Sequence, residues 1–163
     1  MDRINKIFAH PLYKQAYEKI VLYEKDRIYC GHDLEHFLSV ARLAYIKILE
    51  ENKKIEKEIV YAGALLHDIG RCKEYEEKIP HDIASANLAR EILLDCAFSI
   101  EEIDEIVRAI QGHRGFNLGE SKVANDLSTI LKWADKKSRN CMVCPARSSC
   151  KWSEEKKNKI LLG

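Results

Sequence analysis

The sequence is poor in chain breakers: seven glycines and three prolines are spread over 163 residues. That scarcity argues against an all-β fold, which needs frequent turns. Net charge is also nearly absent. Lysine and arginine total 27 against 26 aspartate and glutamate, and no block of like charge runs along the chain. Nothing therefore indicates a nucleic-acid partner, which a basic arm or stripe would signal. Long apolar runs are missing as well. No stretch approaches the roughly 18 residues of a membrane span, and charge and proline interrupt MDRINKIFAHPLYKQAYEK, where a signal peptide needs an unbroken apolar region. The expectation is a cytoplasmic protein without a membrane partner. In that compartment the six cysteines read as reduced thiols or metal ligands rather than disulfides.

What is present is apolar residues at helical spacing along almost the whole chain, so the fold class expected is all-α. Helices are expected near 11–28, 33–52, 55–69, 80–96, 99–113 and 120–139, with a short charged one near 153–161. Asp33 is placed to cap the second of these, and Pro80 to sit in the first turn of the fourth. The length suits one domain with one hydrophobic core. Composition shifts only after Asn140, where CMVCPARSSCKW replaces the amphipathic pattern. The expected division is a helical domain over 1–140 and a cysteine-containing extension over 141–163.

Five of the six histidines lie between His32 and His113, and helical spacing says which way they face. His67 follows Gly63 by four residues and Val60 by seven, on the apolar side of its helix. His113 continues the stripe of Ile106 and Ile110, and His81 that of Leu88 and Ile92. Asp135 follows Leu131 by four, which puts a carboxylate at the edge of a buried face, where it is costly unless paired. His32, Asp33 and His36 are spaced so that one surface presents all three. One such residue alone is ordinarily a hydrogen-bonded core group. Several on the inward faces of separate helices are more economically explained by a shared cation, since neutral imidazoles and carboxylates are the donors a divalent metal takes.

These residues fall in five segments: HDLEH at 32–36, LLHDIGR at 65–71, IPHDIASA at 79–86, AIQGHRG at 109–115 and WADKKSR at 133–139. In that order they resemble the HD superfamily of metal-dependent phosphohydrolases, over roughly residues 30–139. The resemblance implies a helical bundle of about six to seven helices. It implies one divalent ion held by His36, His67, Asp68 and Asp135. His81 and His113 fall where two-metal members hold a second ion and where one-metal members contact the substrate phosphate, and both roles stay open.

A metal ion with an open position supplies hydroxide near neutral pH and neutralises phosphate oxygens. Asp68 is the residue expected to orient the attacking water. His32, Asp33 and His113 are the candidates to protonate the leaving oxygen. Arg71, Arg114, Lys136 and Arg139 follow the ligand motifs and are candidates for substrate phosphate, Arg114 best placed because it shares the inward side with His113. The implied substrate is a small phosphorylated molecule, most plausibly a nucleotide. Tyr75 and Phe116 are near enough to stack on a base, although aromatics in such positions are more often packing groups.

Cys141, Cys144 and Cys150 give C-x2-C-x5-C, three of the four thiols of a zinc site or iron–sulfur cluster. Cys30 or Cys72 would supply the fourth, whereas Cys96 on an apolar helix reads as a core residue. Two other functions compete with hydrolysis. One is an oxygenase with two irons on the same six ligands, and the other is a sensing module that binds a nucleotide or responds to redox state without turnover.

Overall fold

The computed structural model of the chain describes residues 1–113 and 126–160. Among these residues there are eight α-helices and no strand: α1 (Asp2–Ala9), α2 (Pro11–Glu24), α3 (Leu34–Glu50), α4 (Lys57–Leu66), α5 (Arg71–Glu77), α6 (His81–Asp95), α7 (Ile100–Gly112) and α8 (Asp126–Lys137). The bundle is organised around α4. Seven of its ten residues are buried, Ile59, Val60, Ala62, Gly63, Ala64, Leu65 and Leu66, so it lacks the polar face of a surface helix. It packs against α1, α3, α6, α7 and α8. A helix buried on nearly all sides carries the residues beyond its last turn into the interior. In α4 those residues are His67 and Asp68.

Local sequence fixes the ends of these helices. The Asp33 carboxylate accepts from the His36 amide at 2.7 Å, capping α3 as expected. Ser99 and Glu102 form a reciprocal capping box at the start of α7, which satisfies two otherwise unpaired amides. At the α4–α5 turn, Gly70 is required by proximity. A Cβ there would lie 2.7 Å from the His81 carbonyl oxygen and from Ala84 backbone, so any side chain would push α6, and His81 with it, away from Asp68. Gly112 is similarly closed in by Ser128 of α8.

Two helices were not legible. α1 buries only Ile4 and Ile7, and α5 buries only Cys72, so neither carries a stripe long enough to read. The helix expected over 55–69 instead ends at Leu66 and turns at Gly70 into α5. Pro80 precedes α6 as its N-cap residue rather than entering its first turn. Residues 120–125 and 161 of the expected helices lie outside the described residues, and 153–160 form turns instead of a helix. In those turns buried Asn158 donates to the carbonyls of Lys136 and Arg139, each at 2.8 Å. It thus satisfies the open end of α8. No described helix is long and apolar enough to cross a membrane.

Candidate metal centre

Five imidazoles meet at the interior end of the bundle, all of them buried: His32, His36, His67, His81 and His113. Each is anchored through Nδ1. His67 bonds the Ala64 carbonyl at 2.7 Å, and His113 the Ile110 carbonyl. His36 bonds the Ser138 hydroxyl at 3.1 Å, His81 the Glu74 carboxylate at 3.0 Å, and His32 the Glu24 carboxylate at 2.5 Å. Nδ1 engaged by an oxygen acceptor leaves Nε2 as the free lone pair, the arrangement that orients metal-binding histidines.

All five Nε2 atoms point at two carboxylates. Asp68 Oδ2 lies 3.2 Å from His67 Nε2 and 3.5 Å from His32 Nε2. Its other oxygen, Oδ1, lies 3.1 Å from His81 Nε2 and 3.8 Å from His113 Nε2. Asp135 Oδ1 is 3.3 Å from His36 Nε2 and 3.9 Å from His67 Nε2. Two ligand sets result, each with its donor atoms within 4.8 Å of one another: His36, His67, Asp68 and Asp135, and Asp68, His81 and His113. Asp68 belongs to both.

The electrostatics suit cations. Burial holds His36 and His113 down at about 4 and also lowers His81, so these rings are neutral donors at physiological pH. His67 behaves oppositely. Burial opposes its charge, but Asp68 and Asp135 beside it raise it to about 10. Asp68 and Asp135 are held well below the ordinary carboxylate range by the surrounding imidazoles, although burial pushes each the other way. The negative charge that would keep a proton on His67 is equally able to keep a metal ion, which displaces that proton. Two atoms at this point, His67 Nε2 and Asp68 Oδ1, are buried without a hydrogen bond. Coordination to a cation would give each of them a partner. The donor set therefore fits a divalent cation.

Above the two sets opens a cavity of about 510 Å3. Asp68, Asp135, His32, His81 and His113 line its floor, and five cationic side chains line its walls: Arg27, Arg71, Lys136, Arg139 and Lys151. Three of the cations expected at the phosphate, Arg71, Lys136 and Arg139, are thus at the cavity. Arg71 Nε lies 3.3 Å from Asp68 Oδ1. Arg139 reaches further in, 3.0 Å from His36 Nε2 and 3.4 Å from Asp135 Oδ1. Arg114 and Phe116 lie outside the described residues.

Asp33, a candidate proton donor, does not line this cavity; it is exposed and its carboxylate is engaged in capping α3. Tyr75 also fails to line it, because its hydroxyl donates to Glu24 at 2.5 Å. The aromatic rings at the cavity are Tyr29 and Trp152. Sequence reasoning missed Glu24 and Glu74, whose places at the last residue of α2 and in the middle of the short α5 give no periodic signal.

The HD domain family model matches residues 33–140, and the chain belongs to that family. An uncharacterised protein of Clostridium beijerinckii is 40% identical over 158 residues, 97% of both chains. Ribonuclease Y of Acidothermus cellulolyticus is 34% identical over 80 residues, which cover 49% of this chain but 14% of that protein. Among solved structures, a predicted HD superfamily hydrolase from an uncultured Thermotogales bacterium superposes with a TM-score of 0.63 at 23% identity, covering 90% of this chain and 79% of that one. That likeness establishes the shared helical fold.

Proposed function

We propose that the protein is a metal-dependent phosphohydrolase that cleaves a phosphoester or phosphoanhydride of a small phosphorylated molecule, a nucleotide being the class the cavity suits best. One observation carries the reading: two ligand sets sharing Asp68 lie at the floor of a cavity walled by five cations. Chemistry on a polyanion needs that combination. Membership of the HD family supports it, as do the hydrolase and ribonuclease names of the two distant relatives.

In this reading His36, His67, Asp68 and Asp135 hold a first divalent ion, and Asp68, His81 and His113 hold a second. Bound ions would acidify water and neutralise phosphate oxygens. The chain's own residues do the rest. Arg71, Lys136 and Arg139 draw the phosphate down onto the floor and fix its orientation, with Arg27 and Lys151 receiving further phosphate oxygens. Asp68, which would be shared by both ions, orients the water. His32 protonates the leaving oxygen. Glu24, engaged by its Nδ1, holds the ring in orientation and stabilises the doubly protonated imidazolium that gives up its Nε2 proton. Tyr29 and Trp152 offer flat surfaces to a base.

The test is phosphate release from a panel of nucleotides and sugar phosphates, using protein purified without oxygen and supplied with manganese, beside Asp68→Ala. Metal-dependent release that disappears in the variant is expected. Oxygen consumption without phosphate release would replace hydrolysis with oxygenase chemistry, and tight nucleotide binding without either would indicate a sensor.

A further inference from the structure

Four of the six cysteines converge from two distant parts of the sequence. Cys30, Cys141 and Cys144 line one hollow of about 440 Å3. Cys30 and Cys150 both line the cavity above the metal centre. Burial raises the Cys30 thiol, Arg139 opposes the rise, and Cys141, Cys150 and Cys144 are each close enough to add to it. The two residues flanking Cys30 are tied to the C-terminal segment. Tyr29 Oη donates to the Ser149 carbonyl at 3.3 Å, and Arg139 Nη1 donates to the Gly31 carbonyl at 2.6 Å. Cys72 and Cys96, by contrast, are buried in the hydrophobic core, where the Cys72 thiol donates to the Ile69 carbonyl at 3.4 Å.

We propose that Cys30, Cys141, Cys144 and Cys150 are the four ligands of an iron–sulfur cluster of the [4Fe–4S] type, built into the wall of the cavity. The convergence completes the three-cysteine motif with a fourth thiol from the loop before α3. The spread of these thiols favours the cluster over zinc. Four sulfurs about 2.3 Å from one tetrahedral zinc lie about 3.8 Å apart. Among the described residues, which include every cysteine, no three sulfurs gather within 4.8 Å, although the histidines and aspartates of the metal centre do. Thiolates that each bind a different iron need the wider arrangement.

The surroundings suit a set of four thiolates. The Trp152 amide points at Cys150 Sγ at 3.5 Å, the kind of N–H to sulfur contact that tunes such clusters. Arg147 braces the loop, its side chain donating to the Cys141 carbonyl and its amide to the Cys144 carbonyl, both at 3.1 Å. The cluster fastens the loop at Cys30 to the segment that carries Arg139, Lys151 and Trp152. It thereby fixes the part of the wall that is not helical, whereas Arg71 and Lys136 stand on α5 and α8.

The experiment is anaerobic purification and reconstitution with ferrous iron and sulfide, followed by acid-labile sulfide analysis and visible absorption. Sulfide is the decisive readout because the histidine centre also takes iron. About four sulfides per chain with charge-transfer absorption are expected. Cys30→Ser and Cys144→Ser should lose both signals, and Cys72→Ser should keep them, with circular dichroism checking that each variant is folded. Wild-type protein with zinc at the thiols and no sulfide after reconstitution would overturn the cluster, whether or not the variants fold. A folded Cys30→Ser with the same sulfide and spectrum as Cys72→Ser would overturn the assignment of Cys30.

Discussion

The floor and the wall of the cavity are built in different ways. The floor is made of side chains at the ends of packed helices, each imidazole fixed by a bond to its own helix carbonyl or to a neighbouring oxygen. The wall on the far side is made of a loop and a tail, where Cys30, Cys150, Lys151 and Trp152 stand on backbone that is not helical. A site held by a hydrophobic core keeps its geometry as long as the core folds. A site held by turns needs an additional constraint, which four thiolates around a cluster would provide. In the proposed reading, chemistry and substrate choice would thus have separate supports.

The separation can be broken from the floor first. Asp68→Ala removes the carboxylate common to both ligand sets, and phosphate release should fall by more than ~100-fold, since loss of a mere anchoring partner already costs about 10–100-fold. Glu74→Gln tests such an anchor. It replaces the acceptor that fixes His81 Nδ1, and manganese affinity measured by titration should weaken about 10-fold or more. Gly70→Ala attacks the same geometry through packing. Its Cβ meets backbone rather than a movable side chain, so urea unfolding should register a loss of at least ~1–3 kcal/mol, with the metal affinity falling too.

The wall should respond differently. Trp152→Ala should raise KM for a nucleotide about five-fold or more, the effect of losing ~1 kcal/mol of stacking, while kcat stays near the wild-type value. An equal fall in kcat and kcat/KM would contradict the division between floor and wall. The smallest effect concerns pH. Burial alone would raise the Glu24 carboxyl, but hydrogen bonding and charge from His32, joined by the Tyr75 hydroxyl, hold it at about 2 against an ordinary 4.5. A depressed carboxyl stabilises the fold above its unfolded value and loses that contribution as pH falls through the folded one. In metal-free protein, Glu24→Gln should therefore lose less stability than wild type between about pH 5 and pH 2, followed by thermal melting.

Much of the floor was legible because it obeys helical periodicity. Gly63 and Val60 predict the inward face of His67, and Ile110 and Ile106 predict that of His113; both rings are buried where expected. Asp33 shows the limit of such reasoning. Its spacing to His32 and His36 is right for a shared surface, yet the carboxylate is consumed as a helix cap, and spacing does not distinguish the two uses. Glu24 and Glu74 were invisible because their partners, His32 and His81, are eight and seven residues away across a turn. Their importance is tertiary. The tail was hardest to read, since turns have no period. Neither the position of Trp152 at the cavity nor that of Asn158 at the end of α8 follows from composition.

The claim on which the rest depends is that Asp68 serves two ions at once. Equilibrium manganese binding to wild type, to Asp68→Ala and to the double variant His81→Ala, His113→Ala measures it directly. The account predicts about two ions per chain in wild type, about one in the double variant, and a loss of affinity at both sites in Asp68→Ala. Wild-type stoichiometry and affinity in Asp68→Ala would contradict it.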